Sequence, residues 1–276
     1  MLTLPYNDNN RVNYALIFIT IDVNNEWIIR FYRNDVATRN TVKRIPFLKN
    51  FSKVSPLKIP CPEIHNDEFM AYKTIHGEHL SIYEIEHLDT LSRVKIAEQL
   101  GNFLKNLHNF SDDNINFPPE YFRMVRDDYN SYPKKIFDSL DTDERKIMDN
   151  KFKAIKNNDR NFITPTAIIH SDLHYKNILW DREKKKLNGV IDFAQVGLAI
   201  TAMDFIQLTN FNTHKNDQFL KDILHAYGKD EVELFTQIKE LSILEPLNYY
   251  WWYEKNNMPE GMEKIIMKLK TILHAQ

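Results

Sequence analysis

The stretch His170-Ser171-Asp172-Leu173-His174-Tyr175-Lys176-Asn177 gathers groups able to do chemistry into one polar turn, entered from Ala167-Ile168-Ile169 and left through Ile178-Leu179-Trp180. A second carboxylate, Asp192, closes the apolar run Gly189-Val190-Ile191. Loops beside short strands are where a rigid scaffold tends to present reactive groups. One carboxylate can orient a hydroxyl and take its proton. An amide oxygen and a second carboxylate are hard ligands for Mg2+, an ion that keeps much of its water and needs few protein oxygens. Asp172 suits the first role and Asn177 and Asp192 the second, and together these are the needs of phosphoryl transfer to an alcohol. Plainer readings compete. Asp172 can cap its own turn, Asp192 can accept backbone hydrogen bonds at its strand end, and His170, Asp172, His174 and Asp192 could serve a metal-dependent hydrolase.

Elements that would position these residues are legible in the hydrophobic pattern. Tyr14 to Asp22 and Glu26 to Tyr32 are rich in β-branched and aromatic residues, and Asn24-Asn25 tolerates the positive φ of a tight turn, so the two runs predict a hairpin. Residues 39 to 51 read as a helix that Pro46 must start or break, since proline lacks the N–H and clashes with the preceding turn. Glu68 to Ile75 is a further strand ending at His76-Gly77. Beyond it Leu91, Val94, Ala97, Leu100, Leu104 and Leu107 recur at steps of three and four, the stripe of an amphipathic helix. Helical patterns return over 120 to 157, 215 to 228, 230 to 252 and 260 to 274. Strands at 167 to 169, 177 to 180 and 189 to 192 form an island within them, and the charged run Arg182 to Lys186 reads as a solvated hairpin turn.

Composition narrows the function classes. Lys and Arg number 36 against 38 Asp and Glu, a formal charge of −2, so no global basic field exists to hold nucleic acid. With 43% hydrophobic and 27% charged residues over 276 positions, the chain can bury one large core or two modest lobes. The single cysteine, Cys61, excludes an internal disulfide, and no Cys/His cluster has zinc spacing. The first residues have no basic n-region and only a short apolar stretch, so the expectation is a cytoplasmic protein without a membrane span. Glu245 to Glu254 mixes aromatics with two carboxylates, a set that can pack a terminal helix or line a pocket for a cationic, sugar-like ligand.

On the loop residues quoted above, the chain resembles the aminoglycoside phosphotransferase family, small-molecule relatives of the protein kinases. His170 to Asn177 followed by Gly189-Val190-Ile191-Asp192-Phe193 is similar to that family's catalytic and metal loops. Glu98 to His108 resembles its helix ending in Leu-His, Ala202-Met203-Asp204-Phe205 its Asp-bearing helix start, and Phe69 to Gly77 its hinge strand. Asn9 to Val12 and Trp27 to Phe31 resemble its paired nucleotide-lobe strands. The resemblance implies a two-lobed, kinase-like α+β fold, with residues 1–75 a nucleotide-binding lobe and 76–276 a helical lobe. It implies transfer of the γ-phosphoryl group of ATP or GTP, with Mg2+, to a hydroxyl of an aminoglycoside or another small polar molecule, and so a link to antibiotic resistance. It makes Asp172 the base and Asn177 and Asp192 the metal ligands. Arg30, Tyr72 and Thr74 fall at nucleotide-binding positions, His170 and Asp204 become structural supports, and Glu245 and Glu254 candidates for the substrate.

The sequence departs from the family at four places. Arg30, with Arg33 nearby, stands where a strand Lys is usual, and Arg44 stands where the partner Glu is usual. Asn7-Asp8-Asn9-Asn10 replaces a glycine-rich loop, and Ile200-Thr201 replaces Asp-Pro. These departures carry the alternative of a degraded kinase fold that binds a ligand or partner without transferring phosphate.

Overall fold

Five antiparallel strands open the chain: β1 (Arg11–Tyr14), β2 (Phe18–Val23), β3 (Trp27–Tyr32), β4 (Ile64–His65) and β5 (Phe69–Lys73), in the order β1-β2-β3-β5-β4. The computed structural model describes residues 11–14, 18–33, 38, 41–119, 134–157, 167–209, 217–228 and 231–274. The Asn7 to Asn10 loop, residues 39–40 and the expected helix over 120–133 lie outside them. Asn24 and Asn25 both take positive φ, 56° and 55°, which matches the turn twist to the strands and sets Trp27 opposite Val23. Arg30 thereby falls in the central strand, opposite Thr20 on one side and Met70 on the other. Helix α1 (Ile45–Phe51) carries Pro46 in its first turn, where the missing N–H costs nothing.

After Lys73 the chain is mainly helical, with β6 (Glu78–His79), α2 (Ile82–His87), α3 (Thr90–Asn109), α4 (Lys134–Asp138) and α5 (Thr142–Asn157). Asp89 caps α3 by accepting from the Ser92 N–H, and Ile96, Leu100, Phe103, Leu104 and Leu107 form its buried stripe. Next come β7 (Ala167–Ile169), β8 (Ile178–Asp181), β9 (Lys186–Val190), β10 (Gly197–Ala199), α6 (Ala202–Ile206) and α7 (Asp217–Tyr227). Gly101 lets α7 lie against α3, since a Cβ there would sit 2.6 Å from the Ile223 carbonyl oxygen.

The pattern over 230 to 252 predicts one helix, and the structure instead has α8 (Glu231–Leu241) and α9 (Leu244–Lys255), followed by α10 (Pro259–His274). Pro246 explains the break. Within an unbroken helix its ring would strike the carbonyl four residues back, at Ser242, so the chain turns there and restarts with proline in the first turn.

A single core cluster runs from Phe47 and Phe51 of α1 to Leu273 of α10, so α1 is packed onto the helical part as well as following the sheet. Two further fastenings meet on β9. The Lys58 carbonyl accepts from Val190 (2.9 Å) while the Lys58 N–H donates to Asn188 (3.2 Å), and the Asn188 side chain donates to the His76 carbonyl (2.9 Å). Gly189 sits between them, where an added Cβ would lie 2.6 Å from both Ile75 Cγ2 and the Lys58 oxygen. None of the described helices is long and apolar enough to cross a membrane.

Candidate active site

Short strands β7 and β10 pair with Gly197 opposite Ile169, and β8 pairs with β9, so the turns leaving β7 and β9 emerge side by side. Their backbones are joined directly: the Ile191 N–H donates to the Asn177 carbonyl at 2.8 Å. Asp172, Asn177 and Asp192 are brought together by these pairings. The Asn177 amide nitrogen donates to the Asp172 carbonyl (2.8 Å) and carboxylate (3.3 Å). With its N–H bonds directed to Asp172, Asn177 has its amide oxygen left as an acceptor.

Two residues in these loops adopt left-handed backbone without being glycine, Ser171 (φ 66°) and Asp192 (φ 67°). Such conformations cost of order 1–3 kcal/mol and persist where the surroundings over-determine them. Asp204 does so for the first loop. Its fully buried carboxylate accepts from the His170 N–H (2.8 Å), the Ser171 N–H (2.7 Å) and His108 Nε2 (3.0 Å), while the other ring nitrogen of His108 meets the Tyr227 hydroxyl at 2.8 Å. His170 links the two loops: Nε2 donates to the Ile191 carbonyl (3.0 Å) and Nδ1 accepts from the Asp172 N–H (3.2 Å). Burial holds its pKa below the ordinary histidine value, as that neutral arrangement requires.

Asp192 faces Arg30, whose Nη1 is 3.3 Å from Oδ1. Burial would raise the Asp192 pKa, but Arg30, aided by His170 and His174, holds it below the usual carboxylate range. The guanidinium itself rests on the Phe18 ring, 3.9 Å from its centroid. Burial pushes the Tyr72 phenol up, and the nearby Arg30 charge works against that shift. Thr74, at the hinge, has a buried Oγ1 without a partner among the described residues, an orphaned polar atom that a bound group can satisfy.

Asp172 is pushed up to about 8, first by burial and then by the negative Asp192, with the Asn177 amide pulling the other way. An unfolded aspartate loses its proton near 3.9, so the folded chain holds one more proton between about 4 and about 8. Stability from this group is complete below about 4 and is lost as pH rises through about 8. Asp172→Asn removes that dependence. Because the side chain is 32% exposed, solvent screening reduces the gain to about 1–2 kcal/mol. Melting temperatures of variant and wild type should differ more, in the variant's favour, at pH 9 than at pH 5, and an equal difference at both would contradict the raised pKa.

The expected substrate-side residues lie on α9. Glu245 is buried and paired with Lys268 (Nζ to Oε2 3.0 Å), and burial still raises its pKa. Glu254 is in the last turn, half-buried, its charge reaching Tyr250. A residue of the same helix that sequence did not single out feels the Asp172 charge as well. Tyr249 lies within the fields of both Glu245 and Asp172, which add to burial in pushing its phenol up. Its only sequence signal was membership of the aromatic run.

Among the described residues no group of three or more His, Cys, Asp or Glu is arranged to hold a metal ion, and both ring nitrogens of His170 are engaged. The hydrolase set of His170, Asp172, His174 and Asp192 is thus not assembled. Asn177 and Asp192, as a pair of oxygen donors, fit Mg2+, which takes its remaining ligands from water and phosphate.

The fold has counterparts among known proteins. A solved structure of an APH(2″)-type aminoglycoside phosphotransferase with GDP and kanamycin superposes with a TM-score of 0.84 at 16% identity, covering 96% of this chain and 93% of that one. A macrolide 2′-phosphotransferase from Brachybacterium faecium gives 0.67 at 16% identity, covering 94% and 91%. An uncharacterized kinase-like protein of Caenorhabditis elegans is 21% identical over 187 residues, 61% of this chain, which spans about half the length of that relative. The sequence model of the phosphotransferase enzyme family matches residues 13–241, a span holding the loops that carry Asp172, Asn177, Asp192 and Asp204, and the chain belongs to that family.

Proposed function

We propose that this chain is a cytoplasmic small-molecule kinase that transfers the γ-phosphoryl group of ATP or GTP to a hydroxyl of a small polar acceptor. The observation that carries the reading is the junction of the two loops, where Asn177 donates to the Asp172 carboxylate while its carbonyl accepts from Ile191, next to Asp192. Asp172 orients the acceptor hydroxyl and takes its proton. Asn177 and Asp192 would hold Mg2+, which when bound offsets the charge of the nucleotide phosphates. Arg30 exchanges part of its contact with Asp192 for phosphate, and Thr74 Oγ1 at the hinge is offered to the nucleotide. His170 and Asp204 keep the loop in shape.

The nucleotide lobe is assigned to residues 1–75 and the acceptor lobe to 76–276, a division supported by the end of the sheet at Lys73. Kanamycin in one structural relative makes aminoglycosides the first acceptors to screen. Glu245 already answers Lys268, so Tyr249 and Glu254 are the acceptor-side groups of greatest interest. A second reading, a kinase fold that binds without transferring phosphate, is favoured by the Arg30–Asp192 ion pair, which engages the metal-holding carboxylate.

Thermal unfolding with Mg2+ alone, Mg2+-ATP and Mg2+-GTP separates the two. Nucleotide at about a hundred times its dissociation constant should add roughly 2.7 kcal/mol, a rise of several degrees. The rise should be absent in Asp192→Ala. No rise with either nucleotide at millimolar concentration would replace the kinase reading with the second one.

A further inference from the structure

Arg44 has no obvious task in the reading so far, yet it is 3% exposed and its Nε donates to the Val196 carbonyl at 2.9 Å. Val196 is itself buried and immediately precedes β10, so its carbonyl needs a donor from within the protein. The Arg44 guanidinium also lies 4.9 Å from the Phe117 ring centroid, and the Phe117 carbonyl accepts from Leu198 at 2.9 Å. Arg44 thus stands at the junction of α1, the segment around Phe117 and the start of β10.

The helix that Arg44 precedes is firmly placed. Phe47 and Phe51 stack on each other at 5.6 Å, Phe51 packs on Phe103 of α3 at 6.0 Å, and Phe47 reaches Phe193 at 6.4 Å. From this base Arg44 holds one end of the turn 192–196, while Arg30 holds the other through Asp192. Between the two arginines a cavity of about 20 Å³, lined also by Thr41, Met70, Phe193 and Ala194, leaves room for no more than a water molecule, so the turn has little space to relax.

We propose that Arg44 is a positioning residue for Asp192: by fixing the Val196 carbonyl it keeps Asp192 in its left-handed conformation when Arg30 moves toward phosphate. The inference rests on the reading that Asp192 holds the metal of a bound nucleotide. A Lys–Glu ion pair usually aligns this region in kinases. Here the connection between helix and metal loop runs through a backbone carbonyl instead. What matters is then a donor at the Nε position, more than the positive charge.

Glutamine supplies the discriminating variant, because its Nε2 is the same number of bonds from the backbone as arginine Nε and carries no charge. Binding of ADP and GDP to the full chain is measured with Mn2+, by water-proton relaxation, and without metal, by calorimetry, for wild type, Arg44→Met, Arg44→Gln and Arg44→Lys. Arg93→Met, which breaks the distant Arg93–Asp222 pair (3.0 Å), is the stability control. Arg44→Met should weaken the Mn2+-nucleotide complex about tenfold while leaving metal-free nucleotide affinity within about twofold, as expected when a ligand residue is left poorly held. Arg44→Gln should retain most of the affinity, Arg44→Lys should not, and Arg93→Met should be unchanged.

An unaltered Mn2+ affinity in Arg44→Met would overturn the role of Arg44 alone. So would equal losses in the Gln and Lys variants, a comparison that decides the matter even if the Met variant does not fold. Wild type that binds no nucleotide in either condition would overturn the kinase reading and this inference together.

Discussion

Asp172→Asn is expected to lower phosphoryl transfer by roughly 10²- to 10⁴-fold, the usual worth of a general base. The substitution changes little else. Asparagine is the same size, its Oδ1 can still accept from Asn177, and the loop remains held through backbone groups by Asp204. Nucleotide affinity should therefore stay within a few-fold of wild type, as read from the same thermal shift. Turnover is measured with whichever acceptor the screen yields, and nucleotide hydrolysis without acceptor serves as the background. Retention of more than about a tenth of wild-type turnover would remove Asp172 from the role of base.

Asp204→Ala is expected to cost about 3–5 kcal/mol of stability. Its carboxylate is 0% exposed and serves three donors, His170 N–H, Ser171 N–H and His108 Nε2. Truncation leaves all three buried without an acceptor and opens a void beside Phe205. It also removes what holds Ser171 at φ 66°, so activity should fall in the fraction that remains folded. Asp204→Asn keeps one acceptor oxygen and should lose roughly half as much. Urea unfolding of the three proteins gives the comparison, and a loss below about 1 kcal/mol for the alanine variant would mean the loop is held by other contacts.

The candidate site was most legible where it is local. His170, Asp172 and Asn177 fall within one turn, and flanking apolar triplets announce the strands that hold it. The Asn24-Asn25 hairpin and the start of α1 at Pro46 were readable for the same reason, since each depends on the backbone preferences of one or two residues. The bracing role of Asp204 came from resemblance, because its partner His108 lies on α3 and His108 in turn meets Tyr227 of α7. The Arg44 to Val196 contact had no signal at all: a backbone carbonyl carries no residue type, and 152 positions separate the partners. Tyr249 was one of several neighbouring aromatics, and only the packing of α9 distinguishes it. The split of α8 from α9 was written in Pro246, which the apolar periodicity on either side outweighed.

Strand β9 has a mechanical consequence. Lys58 of the sheet-bearing part and His76 at the hinge are both fastened to it, and Gly189 is where the two fastenings come closest. Sliding of the sheet-bearing part across the Asp172 and Asp192 loops would break both fastenings at once, so β9 helps keep Arg30 in register with Asp192. A side chain at position 189 would push on both fastenings at once, and is expected to disturb the meeting of Arg30 with Asp192 without touching either residue.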